Sequence, residues 1–190
     1  EIVVHTGQHF DANMSDIFFG QRGLPHPHHQ LNISGGSHGE MTGRMLAALE
    51  QVVIAERPDR VMVYGDTNST LAGALAAAKL HVPVAHVEAG LRSFDMRMPE
   101  EINRILTDQI SDVLYCPTDI AMQNLADEGF ARKSAEICKV GDVMQDSAQF
   151  FARHARAPDC ASIKDGFILA TLHRAENTDD RGRLAEIVSA

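Results

Sequence analysis

The chain alternates short apolar runs with longer segments in which apolar residues recur at helical spacing. Each apolar run is bounded by Gly, Pro or acidic residues, which is typical of strands buried in a parallel sheet. The runs predict strands at residues 1–7, 59–66, 82–90, 112–118 and 136–142, and a weaker strand at 28–33.

The segments between these runs predict helices. Ser37 and Glu40 fit the S-x-x-E capping pattern that begins a helix, and Pro99 fits the first turn of another. The helix after Ser37 has an apolar face made of Met41, Met45, Leu49, Val52 and Val53. Further helices are predicted at residues 14–24, 67–80, 99–111, 119–130 and 146–157.

Repeated strand–helix units with short connections predict an α/β fold, a doubly wound parallel sheet of the Rossmann-like kind. Residues 1–156 form the predicted first domain, and APDCASIKDG at 157–166 is the predicted linker. FILATLHRAEN predicts a strand and a polar loop that begin a second α/β domain in 167–190. Because the chain begins without Met and ends inside a helix-like segment, we expect a piece of a longer protein.

The composition narrows the functional classes. Hydrophobic residues make up 44% and charged residues 23% of the 190 residues, and the net charge is −9. Such an acidic balance argues against broad attraction to nucleic acid or to an anionic membrane. Three widely spaced cysteines fit neither a disulfide framework nor a zinc site, and suit the cytoplasm. No signal peptide or membrane span is predicted.

Three polar clusters follow predicted strands: GDTNST at 65–70, HVEAGLR at 86–92 and LHRAEN at 172–177. Open parallel sheets bind ligands beyond the carboxyl ends of their strands, so these clusters are expected to meet in one crevice. Asp66 fits either a helix N-cap or a catalytic acid. Glu88 is expected to be partly buried there as a proton-transfer group, although an ion pair with Arg92 would also explain it.

Other polar residues have structural and functional interpretations as well. Adjacent acids after Pro99 suit the start of a helix, and Glu100 can pair with Arg104 at i, i+4. His173 and Arg174 suit a diphosphate or a leaving-group oxygen. Gln8 and His9 follow a strand-end turn and either contact a ligand or simply turn the chain.

Cofactor and metal motifs are missing from the sequence. Three histidines in a Pro-rich loop have no carboxylate at ligand spacing, so we interpret them as surface residues: His26, His28 and His29. There is neither a G-x-G-x-x-G nor a Walker pattern, so NAD and ATP are not indicated.

The motifs H-V-E-A-G-L-R-S, M-P-E-E-I-N-R, Y-G-D-T-N-S-T and L-H-R-A-E-N together resemble those of the non-hydrolysing UDP-N-acetylglucosamine 2-epimerases. The resemblance implies two Rossmann-like domains of the glycosyltransferase B type with a site between them. It implies interconversion of UDP-N-acetylglucosamine and UDP-N-acetylmannosamine through UDP elimination and re-addition, with a 2-acetamidoglucal intermediate. It also implies a cytoplasmic homodimer that needs neither metal nor nicotinamide.

Roles follow from the resemblance for individual residues. The catalytic positions are Asp66, Glu88, Glu100 and His173. The substrate-binding positions are Arg104, Arg174, Gln8, Glu176 and Asn177. The positions near a regulatory UDP-sugar site are Arg44 and His9, with Gln8 beside them.

The chain departs from the family pattern at its ends. It lacks the first strand with its G-T-R-P-E-type turn and most of the second domain, so we expect little activity from these residues alone. Three alternatives remain open. They are a UDP-2,3-diacetamido-glucuronic acid 2-epimerase, a retaining glycosyltransferase of the same architecture and a non-catalytic nucleotide-sugar sensor.

Overall fold

A computed structural model of the chain describes residues 1–8, 25–155, 168, 170–172 and 175–189. The chain divides into two compact units, Glu1–Phe150 and Phe151–Ala190. Within the described residues, no helix combines the length and apolarity that crossing a bilayer requires.

The described residues of the first unit form two parallel sheets. A two-stranded sheet pairs β1 (Val4–His5) with β2 (His29–Gln30). A four-stranded sheet has the order β3-β4-β5-β6. Its strands are β3 (Val61–Tyr64), β4 (Val84–Val87), β5 (Val113–Cys116) and β6 (Glu136–Lys139).

Helices connect these strands. The first unit contains α1 (His38–Glu56), α2 (Asn68–Lys79), α3 (Pro99–Ile110), α4 (Asp119–Asp127) and a 3-10 turn (Phe130–Arg132). Helix α5 (Val143–Ala152) follows β6 and crosses the boundary between the units. The second unit contains the short helices α6 (Ala175–Thr178) and α7 (Arg181–Ser189).

The core lies between the four-stranded sheet and the helices that connect its strands. Val63, His86 and Leu114 are neighbours in register on β3, β4 and β5, so they share one face. Val63 packs against the alanines of α2, and Leu114 packs against Leu125 of α4. The four strands lie side by side in chain order, so every strand–helix–strand connection runs in the same direction across the sheet. Because such connections between parallel strands are right-handed, their helices lie on one face of the sheet.

Helix α1 packs against the flank of α2. Met45, Leu49 and Ile33 form a buried cluster with the small residues Ala72 and Ala76 of α2. Alanine at these positions allows the two helices to approach closely. Because every residue of β4 is buried, the continuous apolar run in the sequence is explained by its central place in the sheet.

The α/β fold with a parallel sheet is confirmed, and so are the predicted strands β3 to β6. The start of α3 at Pro99 is confirmed. Ser37 caps α1 by accepting a hydrogen bond from the Glu40 amide at 3.3 Å. A reciprocal capping box also links Thr67 with Thr70 at the start of α2, which the sequence analysis did not predict.

Other segments differ from expectation or stay predictions. The strand expected at FILAT is wrong for the described residues 168 and 170–172, and α6 replaces part of the polar loop. A strand requires a hydrogen-bonded neighbour, and the described part of the second unit contains no strand that could pair with these residues. The expected helix at 14–24 and the linker at 157–166 lie outside the described residues, so the domain boundaries stay predictions.

Candidate active site

Polar residues lie where β3 and β4 end, at the carboxyl edge of the sheet. Gly65 and Asp66 follow β3 directly, and Glu88 follows β4. A Cβ atom placed on Gly65 would lie 3.6 Å from Glu88 Oε2. The Glu88 carboxyl therefore lies over the turn that carries Asp66, as expected for loops that follow neighbouring parallel strands.

Glu88 has a strained backbone and an altered acidity. Its φ is +71°, in the left-handed region that costs a non-glycine residue about 1–2 kcal/mol. Burial is the largest cause that raises the pKa of Glu88, followed by the charges of Asp66 and Asp142; His86 and Arg104 act more weakly in the opposite direction. A carboxyl with a raised pKa exchanges protons closer to neutral pH.

Arg104 joins two acids at this edge. Its guanidinium forms an ion pair with Asp66 and another, of 2.7 Å, with Glu101 Oε2. The Arg104 side chain is 13% exposed and Asp66 is 32% exposed, so the pair with Asp66 is partly shielded from water. Asp66 thereby has a cationic partner, whereas Glu88 makes no hydrogen bond among the described residues.

Glu101 organises the loop between β4 and α3. Its carboxylate is 1% exposed and accepts hydrogen bonds from the amides of Ser93 at 2.9 Å and Phe94 at 2.8 Å. Burial raises the pKa of Glu101, but these amide bonds and Arg104 outweigh burial and leave the pKa lowered. Glu101 is therefore a structural anion.

Asn103 holds the backbone of the Asp66 turn. Its Nδ2 donates to the Asp66 carbonyl at 2.9 Å and to Asn68 Oδ1 at 3.2 Å. Asn103 is 6% exposed and Asn68 is 5% exposed. Because both amides are buried and hydrogen-bonded, they fix the turn relative to α3.

Gln8 lies at the N-terminus of α2. Its Oε1 accepts from the Ser69 amide at 3.2 Å and from the Ser69 hydroxyl at 3.0 Å. The Ser69 hydroxyl also lies 2.7 Å from the Thr6 hydroxyl. A polar side chain therefore occupies the end of a helix where backbone N–H groups favour an oxygen ligand.

Comparison with known proteins identifies the family. The family of UDP-N-acetylglucosamine 2-epimerase matches residues 1–190. The chain belongs to that family. It is 70% identical over 190 residues to a UDP-2,3-diacetamido-2,3-dideoxy-D-glucuronate 2-epimerase of Pseudomonas aeruginosa, covering 100% of this chain and 54% of that protein.

Solved structures of the epimerase family share this fold. The UDP-GlcNAc 2-epimerase of Methanocaldococcus jannaschii, in complex with UDP-GlcNAc and UDP, matches with a TM-score of 0.88 and 49% identity over 99% of this chain and 53% of that one. The Neisseria meningitidis UDP-GlcNAc 2-epimerase, bound to UDP-GlcNAc, matches with a TM-score of 0.73 and 32% identity, over 80% of this chain and 41% of that one. The chain spans about half the length of the curated relatives that it matches.

Of the residues expected from the family resemblance to act in the site, the structure brings Asp66, Glu88 and Arg104 together. Glu100 lies in the first turn of α3 and is exposed, beside the buried Glu101. Gln8 lies at the same edge of the sheet, at the start of α2.

Three structural alternatives considered for these acids are wrong. Thr67, rather than Asp66, is the N-cap of α2, because the Thr67 hydroxyl accepts from the helix amide. Arg104 pairs with Glu101 at i, i+3 rather than with Glu100, because Glu101 is buried whereas Glu100 is exposed to solvent. Arg92 forms ion pairs with acids other than Glu88.

The partners of Arg92 explain that last correction. Arg92 lies 2.8 Å from Asp108 and 2.6 Å from Glu128, with 1% of its side chain exposed. Positive φ values at Glu88 and Gly90 turn the chain between Glu88 and Arg92. The Arg92 guanidinium is therefore buried away from the Glu88 carboxyl.

Arg44, expected near a regulatory site, forms hydrogen bonds with the loop that precedes α1. It donates to the carbonyls of Ser34 at 3.1 Å and Gly35 at 2.6 Å. A weaker ion pair of 3.8 Å joins Arg44 to Glu40. Arg44 therefore braces the turn before α1.

The remaining predicted positions lie outside the described residues or in the second unit. His9, His173 and Arg174 belong to the first group, as does the side chain of Glu176. Asn177 lies in α6 and is half-buried. Their roles stay predictions.

The expected surface histidines have local partners. His28 Nδ1 accepts from the Val3 amide at 3.1 Å, and His29 lies 2.6 Å from Glu56. Within the described part of the chain, no three potential ligands come together to hold a metal ion.

Two residues of the site, Asp142 and Asn103, were not predicted from the sequence, and a sequence signal exists only for Asp142. Asp142 follows β6, so the rule that polar residues after parallel strands meet at one edge would have included it. Its Oδ1 accepts from the amides of Met144 at 2.8 Å and Gln145 at 3.2 Å. Asn103 carried no such signal, because its role depends on how α3 packs against the turn after β3.

Proposed function

We propose that this chain supplies the acid–base half of an enzyme that epimerises UDP-N-acetylglucosamine at C2. The observation that carries the proposal is that two carboxyls with different surroundings occur at one edge of the sheet. Glu88 has a raised pKa, and Asp66 forms an ion pair with Arg104. Two carboxyls in different environments at one edge suit proton removal and proton return on opposite faces of a carbon.

The reaction places specific demands on these groups. A carboxylate takes the hydrogen from C2, the C1–O bond to UDP breaks, and a C1–C2 double bond forms in the 2-acetamidoglucal. A protonated carboxyl then returns hydrogen to the other face of C2, and a UDP oxygen re-forms the bond to C1. Asp66, Glu88 and Glu100 are the proposed proton carriers, and His173 is proposed to assist the departing diphosphate.

Substrate contacts are proposed for the surrounding polar residues. Arg104 already forms ion pairs with Asp66 and Glu101, so it can orient a sugar without adding a free cation. The further proposed contacts are Gln8, Arg174, Glu176 and Asn177. The solved M. jannaschii relative in complex with UDP-GlcNAc and UDP supports a UDP-sugar as the ligand.

Exchange of the C2 hydrogen in heavy water tests the proposal. Incubation of the intact enzyme with UDP-N-acetylglucosamine should give deuterium at C2, detected by proton NMR, and the manno epimer. Glu88→Gln and Asp66→Asn should each slow exchange by about 10²–10⁴-fold, the range that general acid–base groups contribute.

Asp119→Asn is the matched control. Asp119 is a carboxylate that is 84% exposed and pairs with Lys139 at the surface, so its loss should leave exchange unchanged. Exchange that persists in Glu88→Gln and Asp66→Asn would remove the basis of the proposal. Transfer of the sugar to an acceptor without exchange would indicate a glycosyltransferase, and binding with neither process would indicate a sensor.

A second candidate substrate is UDP-2,3-diacetamido-2,3-dideoxy-D-glucuronate. The 70% identity with the P. aeruginosa enzyme that is named for this sugar favours it. The chemistry at C2 is the same, so the catalytic proposal does not change. Comparing kcat/KM for the two sugars decides between them.

A homodimer and a cytoplasmic location are proposed from the family resemblance alone. Size-exclusion chromatography with light scattering tests the dimer. A mass equal to one chain would contradict it.

A further inference from the structure

His86 is a completely buried histidine directly below the site. It lies on β4, two residues before Glu88, and is 0% exposed. Its Nδ1 lies 2.7 Å from Asp108 Oδ1, and its Nε2 lies 2.8 Å from the Gly65 carbonyl. The side chain thus joins α3 to the turn after β3.

The hydrogen-bond partners define where the hydrogens lie. A carbonyl oxygen can only accept, so Nε2 carries a hydrogen that it donates to Gly65. On the other side of the ring, one hydrogen lies between Nδ1 and Asp108. Both hydrogen bonds are withdrawn from water, where breaking one leaves a buried polar group unsatisfied.

Asp108 connects this histidine to the loop that carries Glu88. Its side chain is 0% exposed, and Oδ2 accepts from the Gly90 amide at 3.1 Å. The same oxygen lies 2.8 Å from Arg92. A continuous series of hydrogen bonds therefore runs from Gly65 through His86 and Asp108 to Gly90.

We propose that His86 and Asp108 are positioning residues that fix the distance between the Asp66 turn and the Glu88 loop. Gly65 precedes Asp66, and Gly90 lies two residues after Glu88. The two ends of the hydrogen-bonded series therefore flank the two carboxyls. This inference rests on the proposed epimerase function, because both acids must reach one sugar carbon.

The Glu88 carboxyl provides a readout of this arrangement. Burial and the charges of Asp66 and Asp142 raise its pKa, whereas the charges of His86 and Arg104 lower the pKa. The His86 ring itself faces Asp108, with Arg92 on the far side of that carboxylate. Replacing His86 by a neutral amide should therefore raise the pKa of Glu88.

Two substitutions separate the two hydrogen bonds of the ring. In His86→Gln, the amide nitrogen can still donate to the Gly65 carbonyl, but the hydrogen bond with Asp108 is lost. In His86→Asn, the shorter side chain can still donate to Asp108, but the hydrogen bond with the Gly65 carbonyl is lost. Because each substitution breaks the series at one link, both should reduce kcat at least about 10-fold while KM changes less than about threefold.

Two measurements and a control variant test the inference. Carboxylate carbon NMR of this chain follows the titration of Glu88, which should move to higher pH in both variants. Kinetics of the intact enzyme gives kcat and KM. Thr107→Val is the control, because Thr107 is buried beside Asp108 on α3 and its hydroxyl has no hydrogen-bond partner among the described residues. It should leave both readouts unchanged.

The outcomes separate this inference from the proposed function. Folded variants with unchanged kcat and an unmoved Glu88 titration would overturn the positioning role. If the unaltered enzyme shows no exchange at C2, the proposed function fails while the titration still reports on the series.

A measurement on the unaltered chain covers the case in which the variants do not fold. Nitrogen NMR of the His86 ring should show a hydrogen on Nε2 that exchanges slowly with water. A ring with Nε2 unprotonated would contradict the inference.

Discussion

Replacing Gly90 by alanine tests the packing that supports the Glu88 loop. Gly90 has φ of +77°, and a Cβ at this position would lie 2.4 Å from the Ala121 carbonyl oxygen and 3.1 Å from Leu125 Cγ. Both residues belong to α4, which packs on the sheet below the loop. The loop and the helix cannot both keep their positions if a methyl group is added.

The expected loss of stability combines strain with overlap. An alanine in the left-handed region costs about 1–2 kcal/mol. Relief of the overlap costs about 1–3 kcal/mol as overpacking, and about 1–3 kcal/mol more if the Gly90 amide loses its bond to Asp108. We therefore expect Gly90→Ala to lower the free energy of unfolding by about 2–5 kcal/mol, and by about 3–8 kcal/mol if the amide bond is also lost.

Gly129→Ala is the matched control. Gly129 has φ of +83°, but no atom lies within 4 Å of its added Cβ, so about 1–2 kcal/mol from strain is all that should be lost. Urea denaturation followed by circular dichroism measures both variants on this chain. Equal losses for Gly90→Ala and Gly129→Ala would show that the contact with α4 does not limit the loop, and would refute the reasoning.

Three further substitutions are expected to stabilise the chain. Gly43→Ala, inside α1 with open space around its Cβ, should stabilise the chain by about 0.5–1 kcal/mol; a lowered melting temperature would mean that α1 is not helical there. Thr107→Val replaces a buried hydroxyl that has no partner among the described residues, so a gain of about 1 kcal/mol in urea denaturation is expected, and a loss would reveal a hydrogen bond. Glu88→Gln should raise the melting temperature at neutral pH: the folded pKa lies above the unfolded value of 4.5, so ionised Glu88 destabilises the fold above both values. That gain should shrink as the pH falls towards 4.5 and below; a gain that is constant with pH would have another cause.

The sheet and the placement of two acids could be predicted from the sequence. The run VPVAHV is apolar without alternation because β4 is buried on both faces. Once the strands are located, polar residues that follow them must lie at one edge, which placed Asp66 and Glu88 together. This reasoning depends on local pattern and on the parallel direction of the strands.

The pairing of charges could not be predicted in the same way. Arg92 lies four positions from Glu88 but pairs with Glu128, which is 36 positions away. Arg104 selects Glu101 rather than Glu100, although both spacings are allowed on a helix. The choice depends on which face of α3 meets the sheet and on positive φ values that no spacing rule supplies.

Asp66 and Glu88 follow the carboxyl ends of β3 and β4, so the opposite end of β3 is suited to attaching a probe. Residues 57–60 connect α1 to that amino end, and Asp59 and Arg60 are exposed. Four residues of strand separate this turn from Gly65, or about 13 Å at the usual rise. A cysteine introduced at Asp59 could carry a fluorescent dye and report on ligand binding without entering the crevice.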